Sequence, residues 1–177
     1  VALMAAIALL LFAPFRASLD LANDLAKPLF WISRVPLRVR IATWTLARSW
    51  RDGLAIGLAP FVAGAIAGNV ALACAAFPLA FAIYWSLQAL GVGLFAIFPN
   101  PIDSRGPIVF VRFAATGAYA IAPLVAAIAV AVLHGPPLAA ALASASVFAI
   151  EGWIAIELAS LRFAENGPAL ATLSRAG

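Results

Sequence analysis

The chain has 177 residues, of which 66% are hydrophobic and only 10% are charged, and its formal net charge is +4. Because a soluble domain is about half apolar and a quarter charged, this composition excludes an ordinary globule in water and predicts one polytopic, all-α membrane domain in a lipid bilayer. The basic residues flank apolar runs, as the positive-inside rule requires, so nucleic acid is excluded as a partner.

The first apolar segment, residues 1–15, is short for a transmembrane helix, which takes about 20 residues. No basic residue precedes its apolar run, which distinguishes it from a signal peptide. Because the chain begins at Val1 and not at a methionine, we expect the N-terminus to be incomplete and this segment to be a clipped span.

A polar belt, residues 16–52, follows the first segment and holds seven of the eleven basic residues and three of the seven acidic ones. Ser18 is the predicted N-cap of a first belt helix, and Pro28 and Pro36 separate that helix from a second one at 37–50. Tryptophans among arginines are typical of a helix that lies in the membrane interface. The belt is either an elbow in contact with solvent and lipid or a docking surface for another subunit.

Residues 53–98 carry no charge and extend over about twice the length of one span, so two transmembrane helices are expected there. The pair Gly68-Asn69 is the predicted turn between a span at 53–68 and a span at 70–98. Glycines four residues apart let helices approach closely, and here they favour ordinary helix packing over a dedicated dimer face. These glycines are Gly53, Gly57, Gly64 and Gly68.

Two further spans are predicted at 109–133 and 138–161, joined by a tight turn at His134. Arg112 interrupts the first of them near its start, and its side chain is expected to snorkel to the interface. Beyond the last span, a polar tail is predicted from Arg162 onward. Five apolar segments and the amphipathic belt therefore make up the predicted fold.

The distribution of basic residues predicts the orientation of these segments. The belt, the proline-rich loop at 99–107 and the tail all contain arginine, whereas the turns at Asn69 and His134 contain none. The positive-inside rule therefore places the belt, the loop and the C-terminus on the cytoplasmic side of a multi-pass protein in the bacterial inner membrane.

Glu151 and Glu157 are the residues of the last span that could carry chemistry. Glu151 lies roughly 16 Å from Arg162 along a helix, near mid-membrane, where an unpaired carboxylate is costly. It is expected to be protonated, or paired at a helix interface or cavity, with either a structural role or a role linked to substrate or protons. The two glutamates lie about 240° apart around a helix, which makes them a poor acid–base pair. The candidate partners of Glu151 are Tyr84, Ser86, Gln88 and Tyr119.

Motifs for nucleotide binding and hydrolysis do not occur in the sequence, which lacks G-x-x-x-x-G-K-[ST], H-E-x-x-H and G-x-S-x-G. The chain is therefore predicted not to be an enzyme and to have no catalytic residue or cofactor of its own. Its single histidine, His134, and its single cysteine, Cys74, do not predict a metal site.

Three stretches resemble the later part of the membrane subunit of bacterial ABC-2-type exporters. They are residues 15–48 (FRASLDLANDLAKPLFWISRVPLRVRIATWTLAR), residues 94–106 (LFAIFPNPIDSRG) and residues 162–177 (RFAENGPALATLSRAG). The resemblance implies a dimeric membrane domain, a separate ATPase subunit that holds ATP, and a cytoplasmic belt that takes up the motion of the ATPase. The residues that would then face the ATPase are Arg16, Asp20, Asp24, Lys27, Arg34, Arg38, Arg40, Asp103 and Arg105.

The sequence leaves three functions to be weighed. The favoured one is the membrane-spanning subunit of an ABC-type exporter, which couples a separate ATPase to substrate movement. The rival is a non-catalytic structural transmembrane subunit of a larger membrane complex, such as an energy-transducing assembly, and it is supported by small-residue helix faces and few polar groups in the spans. An intramembrane enzyme that uses Glu151 or Glu157 is the weakest, because no second catalytic group is evident.

Overall fold

The computed structural model describes residues 13–14, 16–21, 23–24, 34–98 and 107–173. Within these ranges the regular structure is entirely helical. The helices are α1 (Leu37–Ile66), α2 (Val70–Ile97), α3 (Pro107–Tyr119), α4 (Ile121–Val132) and α5 (Pro137–Leu173). The described residues between 13 and 24 are also helical, and we call them the amino-terminal segment. The predicted span at 1–15, apart from Ala13 and Pro14, lies outside the described residues.

Three helical stretches are long and apolar enough to cross a membrane, namely Ala73–Ile97, Phe110–Val132 and Pro137–Glu165. They coincide with the predicted spans at 70–98, 109–133 and 138–161. The predicted span at 53–68 corresponds to a shorter apolar stretch, Asp52–Ile66. An all-helical fold with three helical stretches of spanning length is therefore confirmed for the described residues.

The second belt helix and the first predicted span form one helix. α1 runs for 30 residues without a break and continues through Pro60. The predicted boundary at Gly53 is wrong because this glycine is buried against α2, where an added Cβ would lie 2.9 Å from the Phe81 ring. Glycine costs a helix about 1 kcal/mol relative to alanine, and the close approach of two helices offsets that cost.

The turn between α1 and α2 lies at the position predicted from the sequence. Gly68 has a φ of 71°, in the left-handed region that glycine adopts without strain. The Asn69 amide donates to the Gly64 carbonyl at 3.0 Å, which closes the end of α1. Gly57 and Gly64 face α2, where an added Cβ would lie 2.9 Å from Phe77 and Ala73 respectively. These glycines serve helix packing within the chain, as expected.

The predicted span at 109–133 consists of two helices that follow end to end. α3 ends at Tyr119 and α4 begins at Ile121, with Ala120 in a turn between them. Pro123 has no amide hydrogen to donate to the carbonyl four residues before it, which belongs to Tyr119. The Tyr119 carbonyl therefore receives no bond from residue 123. Just before it, the Ala120 amide donates to the Gly117 carbonyl, three residues earlier, at 3.2 Å, which is the pattern of a turn and not of an α-helix.

The chain remains helical where a polar tail was predicted, since α5 continues from Arg162 to Leu173. Phe163 is only 1% exposed, and its ring centroid lies 6.1 Å from that of Phe95 in α2. Arg162 also pairs with Glu165 at 3.6 Å, three residues further along the helix. A buried ring and an i,i+3 ion pair both stabilise the helix beyond its last apolar run, which the hydropathy pattern did not reveal.

α2 is the central helix of the described structure and packs most extensively against α5 and α1. The main core cluster lies between α2 and α5 and includes Val92, Phe95, Ile156 and Ala159. α4 packs against α5. The candidate span formed by α3 and α4 is only 11% buried, so most of its apolar side chains face away from the other helices.

Arg112 does not snorkel to an exposed interface, contrary to the sequence-based expectation. Its side chain is 2% exposed, and Nη2 donates to the Phe98 carbonyl at 3.0 Å. Phe98 follows the last residue of α2, where the negative end of the helix dipole attracts a cation. Arg112 therefore joins the start of α3 to the end of α2.

Candidate functional site

Five charged side chains of the amino-terminal segment and α1 form an ion-pair cluster. Arg16 pairs with Asp20 at 3.9 Å and with Asp52 at 3.4 Å. Arg48 pairs with Asp20 at 3.4 Å and with Asp24 at 3.3 Å. The two guanidinium groups thus connect three carboxylates and hold the amino-terminal segment against α1.

Hydrogen bonds extend the ion-pair cluster into α2. The Tyr84 hydroxyl donates to the Asp52 carboxylate at 3.0 Å, and Gln88 Nε2 donates to the Tyr84 hydroxyl at 3.0 Å. Both side chains are buried. On the other side of the cluster, Trp44 Nε1 donates to the Asp24 carboxylate at 2.7 Å. Gln88 and four of the charged residues line a polar cavity of about 370 Å³, which we call the charged cavity.

The sequence placed Ser18 at a helix N-terminus, and the structure places it inside the amino-terminal segment. Its Oγ lies 2.9 Å from the Pro14 carbonyl oxygen and 2.8 Å from the Gly91 carbonyl oxygen, so its single proton is shared between these two acceptors. The hydroxyl therefore connects the segment to α2 instead of capping a helix. This contact fixes the position of the helix that carries Arg16 and Asp20.

A polar residue lies at or near the centre of each of the three candidate spans. Glu151 is the middle residue of its span, Tyr84 lies one residue from the middle, and Tyr119 lies two residues from the middle. Unpaired polar groups at such positions are costly in hydrocarbon, so they commonly line a pathway or a binding site.

Glu151 lines a second cavity of about 690 Å³ between α2 and α5, which we call the α2–α5 groove. Its Oε2 atom is buried and meets no hydrogen-bond partner within the described part of the chain. Glu151 therefore lines a cavity, and its structural or substrate-linked role stays a prediction. Of its candidate partners, Tyr119 lines the same groove. Tyr84 and Gln88 belong to the hydrogen-bond network of the charged cavity, and Ser86 donates to a carbonyl of its own helix.

Glu157 occupies a different site from Glu151, in agreement with their predicted angular separation. Its carboxylate lies 3.6 Å from Arg38, which joins α5 to the start of α1. Arg162, five residues further along α5, pairs with Glu165. Glu157 therefore contributes to helix packing near one end of α1.

The predicted docking residues are divided between several environments, and their docking role stays a prediction. Three belong to the ion-pair cluster, Arg38 pairs with Glu157, Arg34 is exposed, and Arg40 is half-buried. The three in the cluster are Arg16, Asp20 and Asp24. Lys27, Asp103 and Arg105 lie outside the described residues.

The sequence did not identify Arg48, Asp52, Tyr84 and Gln88 as members of one site. Arg48 and Asp52 are four residues apart in α1, and Tyr84 and Gln88 are four residues apart in α2. This spacing places both members of each pair on one face of their helix. That spacing does not reveal which face of the next helix they meet, because the meeting depends on how the helices are rotated and how deep they sit. Only the folded structure brings the two pairs together.

Arg48→Gln is expected to lower the free energy of unfolding by less than about 1 kcal/mol, because its ion pairs are partly exposed and screened by solvent. Thermal unfolding in detergent at low salt and at 1 M salt measures the effect, and the difference from wild type should vanish at high salt. Arg162→Gln, which removes one exposed i,i+3 pair, is the control. A larger loss that persists at high salt would contradict the weak coupling expected here.

The charged cavity is lined mainly by charged and polar side chains, and the α2–α5 groove is lined mainly by apolar ones. No set of three or more residues able to hold a metal ion occurs within the described residues. A scan against protein-family models, a search of curated proteins and a search of solved structures each found no match to this chain.

Proposed function

We propose that this chain is the membrane-spanning subunit of an ABC-type exporter, which couples a separate ATPase to substrate movement across the bacterial inner membrane. The observation that supports this proposal is the charged cavity. Through Asp52 and Tyr84 its network reaches the middle of the candidate span in α2. Polar and ionisable groups inside spans are expensive and mark substrate or ion pathways.

In this proposal the start of α1 and the ends of α2 and α5 lie at the cytoplasmic face, and the turns at Gly68 and His134 lie outside. The positive-inside rule supports this orientation. α1 would then link the cytoplasmic surface to the membrane interior, because Arg38 and Asp52 belong to one unbroken helix. A displacement that the ATPase imposes near Arg38 would move Asp52 and alter the charged cavity.

A structural transmembrane subunit of a larger complex is the second candidate, and the α3–α4 stretch favours it. Ile121, Leu124 and Val125 are each more than half exposed, and the whole candidate span is only 11% buried. A face of this kind is suited to lipid or to the helices of another subunit. The same face would also serve an exporter that works as a dimer.

Purification from native membranes in mild detergent separates the two candidates. We expect a nucleotide-binding ATPase to co-purify with the tagged chain at a one-to-one ratio, as identified by mass spectrometry of the isolated complex. Untagged membranes carried through the same steps are the control for background proteins. A large assembly of fixed composition without an ATPase would overturn the exporter proposal and leave the structural subunit.

A further inference from the structure

We infer that the α2–α5 groove binds a lipophilic organic cation, with the Glu151 carboxylate as the counter-charge. The cavity of about 690 Å³ lies within the range of small-molecule pockets, which is about 300–1,000 Å³. Its floor is made of small residues, since an added Cβ at Gly93 would lie 3.6 Å from Ala155. Because these two residues have little or no side chain, the space between α2 and α5 at this position stays open for a ligand.

The walls of the groove are apolar and select a ligand with an apolar body. They are formed by Leu90, Leu94 and Ile97 of α2 and by Ile154, Leu158 and Leu161 of α5. Burial of apolar surface against these side chains contributes roughly 25 cal/mol per Å². The body of the ligand is therefore recognised by hydrophobic contact along the length of the groove.

The charged groups of the groove leave one charge uncompensated. Glu151, Arg162 and Glu165 are its charged lining residues, and the last two pair with each other at 3.6 Å. In its ionised form, which a bound cation stabilises, Glu151 supplies the net negative charge, and it lies at the middle of the candidate span in α5. An anionic ligand would be repelled here, and a cationic ligand would be attracted.

The surroundings of Glu151 also favour a cation over a neutral molecule. Its buried Oε2 atom meets no partner within the described ranges, and a purely apolar ligand would leave it in that state. Tyr119 lines the same groove, and an aromatic ring within about 6 Å attracts a cation through its π face. A positive charge on an apolar body would pair with the Glu151 carboxylate and keep the apolar walls in contact with the ligand.

Binding by this groove requires only the residues of this chain. Identification of the bound cation as the transported substrate rests on the proposed function. The two proposals can therefore fail separately. If an ATPase co-purifies but the groove binds no cation, the proposed function stands and the binding site is refuted. If the groove binds a cation but no ATPase co-purifies, only the binding site stands.

Two probes with the same four-phenyl body and opposite charges test the inference. The purified full chain in detergent micelles is dialysed to equilibrium against radiolabelled tetraphenylphosphonium or tetraphenylborate, and binding to empty micelles is subtracted. We expect saturable binding of the phosphonium at one site per chain. The borate should bind at least tenfold more weakly.

Two glutamates on the same helix provide the matched comparison. Glu151→Gln should weaken phosphonium binding at least tenfold and remove the preference for the cation. Glu157→Gln, which removes a carboxylate that pairs with Arg38 outside the groove, should leave binding unchanged. Equal binding of both probes, an absence of saturable binding, or unchanged binding by the Glu151 variant would overturn the inference.

A second variant keeps the test decisive if Glu151→Gln does not fold. Leu158 lines the groove and is 58% exposed, so replacement by tryptophan obstructs the groove without disturbing a buried position. Leu158→Trp should reduce phosphonium binding at least tenfold while its thermal unfolding remains that of wild type. Full binding by this folded variant would place the ligand elsewhere and overturn the inference.

Discussion

Gly91→Ala is expected to lower the free energy of unfolding by about 1–3 kcal/mol, which is typical of overpacking. An added Cβ would lie 2.3 Å from the Pro14 carbonyl oxygen and 2.7 Å from the Ala17 Cβ. Because these atoms belong to the backbone and to a short side chain, the amino-terminal segment must move away from α2. That movement would also weaken the hydrogen bond from Ser18 Oγ to the Gly91 carbonyl.

Gly93→Ala is the matched control, because it makes the same substitution two residues further along α2. Its added Cβ would lie 3.6 Å from the Ala155 carbonyl oxygen, which is an ordinary contact. Alanine favours a helix over glycine by about 1 kcal/mol, so this variant should be neutral or slightly more stable than wild type. Thermal unfolding of both variants in detergent measures the difference. Equal effects would show that the amino-terminal segment does not press against Gly91.

Arg112→Ala is expected to lower the free energy of unfolding by about 2–4 kcal/mol, because it removes a buried side chain and leaves a cavity. The Arg112 side chain is 2% exposed and donates to the Phe98 carbonyl at 3.0 Å. A hydrogen bond from a charged donor contributes about 1.5–3 kcal/mol, so its loss is a large part of the effect. Chemical denaturation in detergent, followed by tryptophan fluorescence, gives the value.

Phe110→Ala is the control for Arg112→Ala, because Phe110 belongs to the same helix and is 77% exposed. The control should change the free energy of unfolding in detergent by less than about 0.5 kcal/mol, as exposed positions usually do. A mild effect of Arg112→Ala, similar to that of the control, would show that the guanidinium does not hold α3 to the end of α2.

The apolar runs of the sequence predicted most of the helical framework. Long apolar stretches identified three helical stretches of spanning length, and Gly68-Asn69 identified the turn between α1 and α2. The predictions were wrong where contacts with another helix, and not the local sequence, determine the structure. Gly53 was taken as a boundary, although it lies inside α1 and allows Phe81 to approach, and Phe163 was placed in a tail, although it is buried against α2.

The candidate sites were predictable only in part. Depth along a helix follows from residue counting, which predicted the position of Glu151 near mid-span. The link from Asp52 to Tyr84 joins residues 32 positions apart, and it depends on the rotation of α1 against α2. The contact of Arg112 could not be predicted from the sequence either, because the carbonyl that it reaches follows the end of a different helix.

The length of α5 has a mechanical consequence. Its 37 residues extend about 55 Å, whereas the hydrocarbon core of a bilayer is about 30 Å thick. The part between Glu151 and Leu173 alone is a stiff rod of about 33 Å. If this part of α5 tilted by about 5° around Glu151, its end at Leu173 would move by about 3 Å. A protein that binds α5 near Leu173 could therefore tilt the helix and displace the wall of the α2–α5 groove that α5 forms.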